Sequence, residues 1–222
     1  MPLPMLTTLT REQFEGACRR YVAAHSDQGR SGINIYPTGW SWHEHSYVSR
    51  LGYLSRTVLL PRISPSEEGE AGELVGTTLE VEDESAAVVP GELQTCKQYV
   101  VYSPTFEVPA FYFTLNKSSG SPLVLDQIVQ SALFRRNALP SSDGNTFGLT
   151  LPDSNLSLLS QGDHPTLGTP SWYFHPCHTS EVVGEILAAS EGTQPGDELL
   201  RWMEVWFMVM SNVVDFFAGS NT

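Results

Sequence analysis

The sequence is poor in several things. Cysteine occurs three times in 222 residues, at Cys18, Cys96 and Cys177. So sparse and odd a count excludes a disulfide framework and points to a reducing compartment. Basic residues are scarce as well: Lys and Arg total 12 against 25 Asp and Glu, a net charge of −13, and only Lys97 and Lys117 are lysines. A chain this acidic is repelled by phosphate surfaces, which argues against nucleic acid and anionic membranes as partners. No uninterrupted apolar run reaches the roughly 20 residues a membrane span needs. The most apolar stretch, Leu199 to Phe217, is broken by Arg201, Glu204, Ser211, Asn212 and Asp215. MPLPMLTTLTREQF lacks a basic region followed by an apolar run, so no signal peptide is expected. Neither GxxxxGK[ST] nor GxGxxG occurs, so no nucleotide or other cofactor site is expected. These features describe a soluble intracellular protein, cytoplasmic in location.

What is present is enough for one domain with a sizeable core: 41% of residues are hydrophobic and 17% charged. Thr10 and Gln13 fit a capping box ahead of a helix over about Arg11 to His25. Phe14, Ala17, Cys18, Tyr21 and Val22 give that helix one apolar face. Gly32 to Pro61 reads as two or three strands. Residues 64–94 read as an acidic, mobile insertion. Ser64 to Leu93 carries nine acidic residues and no Lys or Arg, with a short strand conceivable near Thr77 to Val81. Cys96 to Ser103 and Val108 to Asn116 are the strongest strand signals and predict a hairpin. Leu125, Ile128, Val129, Ala132 and Leu133 mark an amphipathic helix that ends at Arg135 and Arg136, where the dipole favours cations. Residues 138–170 read as loop and Ser171 to Phe174 as a short strand. Thr179 or Ser180 can cap a helix running to about Ser190. Asp197 can cap a last helix, about Glu198 to Phe217, apolar nearly all round. The order predicts an α+β fold with an antiparallel sheet flanked by an N-terminal helix and C-terminal helices.

The tetrapeptide His175-Pro176-Cys177-His178 carries the chemistry. A cysteine between two histidines, just before a helix N-terminus, is in a setting that stabilises a thiolate. The plainer alternative is a structural cysteine beside polar loop residues. No second cysteine sits at CxxC spacing, which argues against redox work. Only His178 follows Cys177, so a papain-like arrangement, with its distant downstream histidine, is disfavoured. Zinc needs about four ligands, and His175, Cys177 and His178 would have to recruit His43 or His45. Those two are better read as surface residues of a Trp-rich strand. Cys18 reads as a small core hydrophobe and Cys96 as a strand packing residue.

Around this tetrapeptide the sequence resembles a known family. Gln161-Gly162-Asp163-His164-Pro165, Leu167-Gly168, Pro170 and Phe174-His175-Pro176-Cys177-His178-Thr179 are similar to the active-site segment of the autophagy-related protein 10 family. Tyr102-Ser103, Phe106, Val108-Pro109 and Tyr112-Phe113 are similar to that family's central hairpin. The resemblance implies a ubiquitin-conjugating-enzyme-like core spanning residues 1–222. It implies a transferase that receives autophagy-related protein 12 from the activating enzyme, autophagy-related protein 7, as a thioester on Cys177. It further implies transfer to a lysine of autophagy-related protein 5, and recruitment to the preautophagosomal structure. Classical ubiquitin-conjugating enzymes carry a His-Pro-Asn upstream of their cysteine; this chain has none, so His175 is the nearest candidate for oxyanion or loop support. Phe106 occupies the position of the family's site aromatic, usually Tyr. A protein 3-like enzyme that conjugates phosphatidylethanolamine shares the His-Pro-Cys run, and an inactive conjugating-fold binding module is a third reading.

Overall fold

The computed structural model describes residues 6–25, 35–62, 92–136, 138–139, 148–150, 157–189 and 197–221. Helix α1, Arg11–His25, opens on the expected capping box. The Thr10 backbone N–H donates to Gln13 Oε1 at 2.8 Å, and the Gln13 N–H donates to Thr10 Oγ1 at 3.2 Å. Strand β1, Ser41–His43, and strand β2, Tyr53–Pro61, are the two strands of the Trp-rich region. Strand β3, Leu93–Ser103, forms with β4, Val108–Asn116, the hairpin that the sequence announced. Its start corrects the expected insertion boundary: Leu93 and Gln94 pair with Pro61 and Leu60 of β2. The expected mobility of the insertion, and a strand near Thr77, otherwise fall outside the described residues.

Three further expectations needed correction. Helix α2 is only Leu125–Val129, and the chain then turns, so Arg135 sits beyond any helix end. Arg135 Nε instead donates to the Ser211 carbonyl. Residues 138–170 are not all loop: β5, Gly148–Thr150, and β6, Ser157–Asp163, pair antiparallel there. Ser-Leu-Leu-Ser-Gln-Gly-Asp is too polar and glycine-bearing to read as a strand, and pairing with β7, Pro170–Phe174, makes it one. After α3, Thr179–Ala189, the last helix α4 is Glu198–Met210. It stops short of Phe217 because Ser211 and Asn212 turn their side chains back onto the Phe207 and Val209 carbonyls, at 2.7 and 3.1 Å. The short β8, Ser220–Asn221, then pairs with β2.

The strands make one antiparallel sheet in the order β1-β2-β3-β4-β7-β6-β5, with β8 beside β2. Alternation along β2 and β3 sends Leu54, Arg56, Val58 and Leu60, and Cys96, Gln98 and Val100, into the buried face. Trp202, Met203, Trp206 and Phe207 of α4 are all but inaccessible there, as are Phe14 and Tyr21 of α1. Asp197 caps α4 as expected, accepting from the Leu199 and Leu200 N–H groups. Among the described residues one arginine lies inside. Arg56 donates to Gln98 Oε1, the Thr38 carbonyl and the Phe216 carbonyl, at 2.8 to 2.9 Å. Its guanidinium also lies 4.8 Å from the Trp40 ring centroid. Burial pulls its pKa down to about 10, so it remains charged, and these partners replace the lost water.

Candidate active site

Strand β7 is short because Pro176 follows two residues after its end, and proline cannot donate to a ladder. The chain leaves the sheet through His175-Pro176-Cys177-His178 and enters α3 at once. Two backbone bonds fix this exit. The His175 N–H donates to the Leu158 carbonyl of the preceding β6 at 3.1 Å, and the Thr179 N–H donates to the Pro176 carbonyl at 3.1 Å. The His178 carbonyl then accepts from the Val182 N–H, opening the helix. Thr179 is therefore inside α3, and His178 stands where the sequence suggested Thr179 or Ser180 as cap. Cys177 is half-buried, two residues ahead of α3, at the helix end where unpaired N–H groups favour negative charge.

The other thiols are differently placed. Cys18 on α1 and Cys96 on β3 are both 0% exposed. Burial pushes the Cys18 thiol well up, with Glu15 adding to the rise, and pushes Cys96 up to about 12. Buried thiols in that state are inert.

His175 and Phe106 come together, as the sequence alone could not show. Their rings meet edge to face with centroids 5.0 Å apart. Phe106 lies in the turn of the β3–β4 hairpin, and the turn is held from two directions. The Glu107 N–H donates to the Ser103 carbonyl at 2.8 Å, with Glu107 in the left-handed region at φ 54°. The Glu107 carbonyl accepts from the Leu9 N–H at 2.7 Å, and Tyr102 Oη donates to the Leu9 carbonyl at 2.8 Å. The segment before α1 thus straps the hairpin turn in place. It also abuts α3: a Cβ on Gly184 would lie 3.1 Å from Thr7 Cγ2. His175 Nδ1 is buried with no hydrogen-bond partner among the described residues. His178 is exposed and lies 3.6 Å from Glu181.

Among the described residues, no group of three or more His, Cys, Asp or Glu side chains could hold a metal ion. His43 stacks on Tyr53, and His45 Nδ1 accepts from the Tyr47 and Val48 N–H groups. Neither takes part in a zinc set with the tetrapeptide. No described helix is long and apolar enough to cross a membrane.

Sequence reasoning missed His164. It is 1% exposed, under the rings of Tyr53, Tyr99 and Tyr112 at centroid distances of 5.0, 4.7 and 5.7 Å. Its Nδ1 accepts from the Thr166 and Leu167 N–H groups, both at 3.1 Å, so the ring is neutral with its proton on Nε2. Burial lowers its pKa to about 4. The signal was the run Gly-Asp-His-Pro with a glycine four residues past the histidine. Gly168, at φ 64°, closes the turn by donating its N–H to the His164 carbonyl.

The family described as autophagocytosis associated protein, active-site domain, matches residues 13–220. The chain belongs to it. The chain is 28% identical over 220 residues to the ubiquitin-like-conjugating enzyme ATG10 of Arabidopsis thaliana, covering 93% of this chain and 91% of that one. It is 26% identical over 145 residues to the enzyme of the same name from Homo sapiens, covering 65% of this chain and 58% of the human one. The Dictyostelium discoideum enzyme of that name is 25% identical over 113 residues, 50% of this chain and 44% of its own. The expected fold class stands: an α+β, ubiquitin-conjugating-like architecture of the autophagy-related protein 10 family. Membership makes this a ubiquitin-like-conjugating enzyme of autophagy, a transferase.

Proposed function

We propose that Cys177 carries autophagy-related protein 12 as a thioester and delivers it to a lysine of autophagy-related protein 5, as a single domain acting in the cytoplasm and recruited to the preautophagosomal structure. The observation that supports this reading is the contrast among thiols: Cys177 alone is accessible and stands before a helix N-terminus, whereas Cys18 and Cys96 are sealed in the core. The steps balance simply. The Cys177 thiolate attacks the activated C-terminal carbonyl presented by autophagy-related protein 7. A C–S bond to Cys177 forms, the carbonyl's bond to its activating group breaks, and that group leaves with the bonding electrons. A neutral lysine amine then attacks the thioester carbonyl, a C–N bond forms, the C–S bond breaks, and the thiolate is regenerated as the amine loses its proton.

His175 acts in this reading as oxyanion or loop support. Its N–H ties the loop to β6, and its ring packs on Phe106. Cys177→Ala is expected to abolish a reductant-sensitive adduct formed with activating enzyme, donor and ATP on a non-reducing gel, and Cys18→Ala and Cys96→Ala to leave it. An adduct persisting on Cys177→Ala would end the proposal. Discharge onto phosphatidylethanolamine vesicles, in place of the acceptor protein, would identify the lipid-conjugating alternative.

A further inference from the structure

The residues just ahead of α1 bear on three elements at once. The Leu6 carbonyl accepts from Trp202 Nε1 of α4 at 3.0 Å. Thr7 lies against Gly184 of α3. Thr8 Oγ1 donates to Glu107 Oε2 at 3.4 Å. Leu9 is buried and spends both of its backbone groups on the β3–β4 hairpin, its N–H on the Glu107 carbonyl and its carbonyl on Tyr102 Oη. The hairpin turn and α3 are also the two flanks of the reactive loop. His175 packs on Phe106 at one end of that loop, and Cys177 leads into α3 at the other.

Glu107 makes the turn sensitive to this strap. Left-handed backbone is unfavourable for a residue with a side chain and persists where surrounding bonds enforce it. Here the Ser103 carbonyl takes the Glu107 N–H, and the Leu9 N–H holds the Glu107 carbonyl. Phe106 is the residue before Glu107, so slack at Leu9 passes to the ring on which His175 rests. Tyr102 is the anchor. Its ring is buried against Phe14, with centroids 5.6 Å apart, and the Arg11 guanidinium lies 4.8 Å from its centroid. Its hydroxyl therefore holds Leu9 from a side chain that the core keeps still.

We propose that Tyr102 is a positioning residue for the transfer reaction: through Leu9 and Glu107 it holds Phe106 against His175 and so sets the geometry of the Cys177 loop. The proposal rests on the thioester reading given above. A shift of about 1 Å at a reacting group costs on the order of a hundredfold in rate, so loss of one bond behind the turn should cost about tenfold.

Tyr102→Phe deletes the bond to Leu9 and keeps the ring. Tyr21→Phe is the matched control, because it deletes a buried bond of the same kind, from Tyr21 Oη to the Pro37 carbonyl at 2.8 Å, outside the strap. In single-turnover assays Tyr102→Phe should slow discharge to the acceptor about tenfold and leave charging within about threefold of wild type, and Tyr21→Phe should change neither. In a His175→Ala background Tyr102→Phe should cost nothing further, because its effect passes through that ring. NMR of the uncharged chain reads the same coupling with no partner added. The His175 ring protons, shifted by the Phe106 ring current, should move in Tyr102→Phe toward their position in Phe106→Leu. Wild-type discharge or unmoved His175 resonances in Tyr102→Phe would overturn the proposal. Equal slowing by Tyr21→Phe, or a further tenfold loss in the His175→Ala background, would overturn it too. A wild-type chain that forms no adduct on Cys177 would overturn the thioester reading instead, and the NMR result would still decide whether Tyr102 holds the Phe106–His175 contact.

Discussion

Strand β7 is flanked by the same dipeptide on both sides, His164-Pro165 before it and His175-Pro176 after it, and the two are used in opposite ways. His164 is sealed beneath three tyrosine rings and spends its Nδ1 on two backbone N–H groups of its own turn. Its turn closes upon itself, with the His164 N–H donating to the Thr169 carbonyl at 2.8 Å. His175 makes no such closure. It is half-exposed, its ring touches Phe106 from a distant turn, and its loop runs directly into α3. The first histidine builds a rigid corner; the second holds a reactive loop between a hairpin and a helix. A shared dipeptide therefore does not fix a role. The number of local backbone groups that the ring can satisfy, and the elements packed over it, decide.

The sharpest way to break this contrast is at the thiol beside the second histidine. Cys177→Ala should remove the thioester completely with the fold intact, and Cys177→Ser should give an ester that survives thiol reductants, because oxygen is the poorer leaving group. His175→Ala comes next. It should slow discharge to the acceptor by about a hundredfold, on the order of 3 kcal/mol, and slow charging less. Single-turnover assays of the two half-reactions would show this, and equal losses in both would make His175 purely structural.

His164→Ala should have the reverse profile. It strands the Thr166 and Leu167 N–H groups and opens a cavity, so denaturant unfolding should show a loss of about 3 kcal/mol, while charging per folded molecule stays unchanged. The pH dependence sharpens the same point. The ordinary value of 6.5 for His164 drops to about 4 on folding, so between these values the unfolded chain binds the proton and the folded chain does not. Stability should therefore fall as pH drops from about 6.5 to about 4, and the slope should shrink in His164→Gln. The smallest effect is expected for Phe106→Tyr. The edge contact with His175 survives the added hydroxyl, so both half-reactions should change by no more than a few-fold.

Much of the molecule was determined by the sequence itself. The capping box set the start of α1, β-branched and aromatic alternation set the β3–β4 hairpin, and Asp197 set the start of α4. Apolar spacing also placed Cys18 in the core, because a helix stripe buries whatever lies on it. His-Pro-Cys-His drew attention to Cys177 before any fold was known. Other features came only from tertiary structure. Strand β6 has no strand pattern of its own and exists because β7 lies beside it. The end of α4 was set by Ser211 and Asn212 competing for its last carbonyls, which apolar periodicity cannot reveal. The meeting of Phe106 with His175, and of the pre-helix strap with the hairpin turn and α3, joins residues far apart in the chain. Local propensity acts over a few residues, whereas these contacts depend on how strands pair and helices pack, so only the folded chain could decide them.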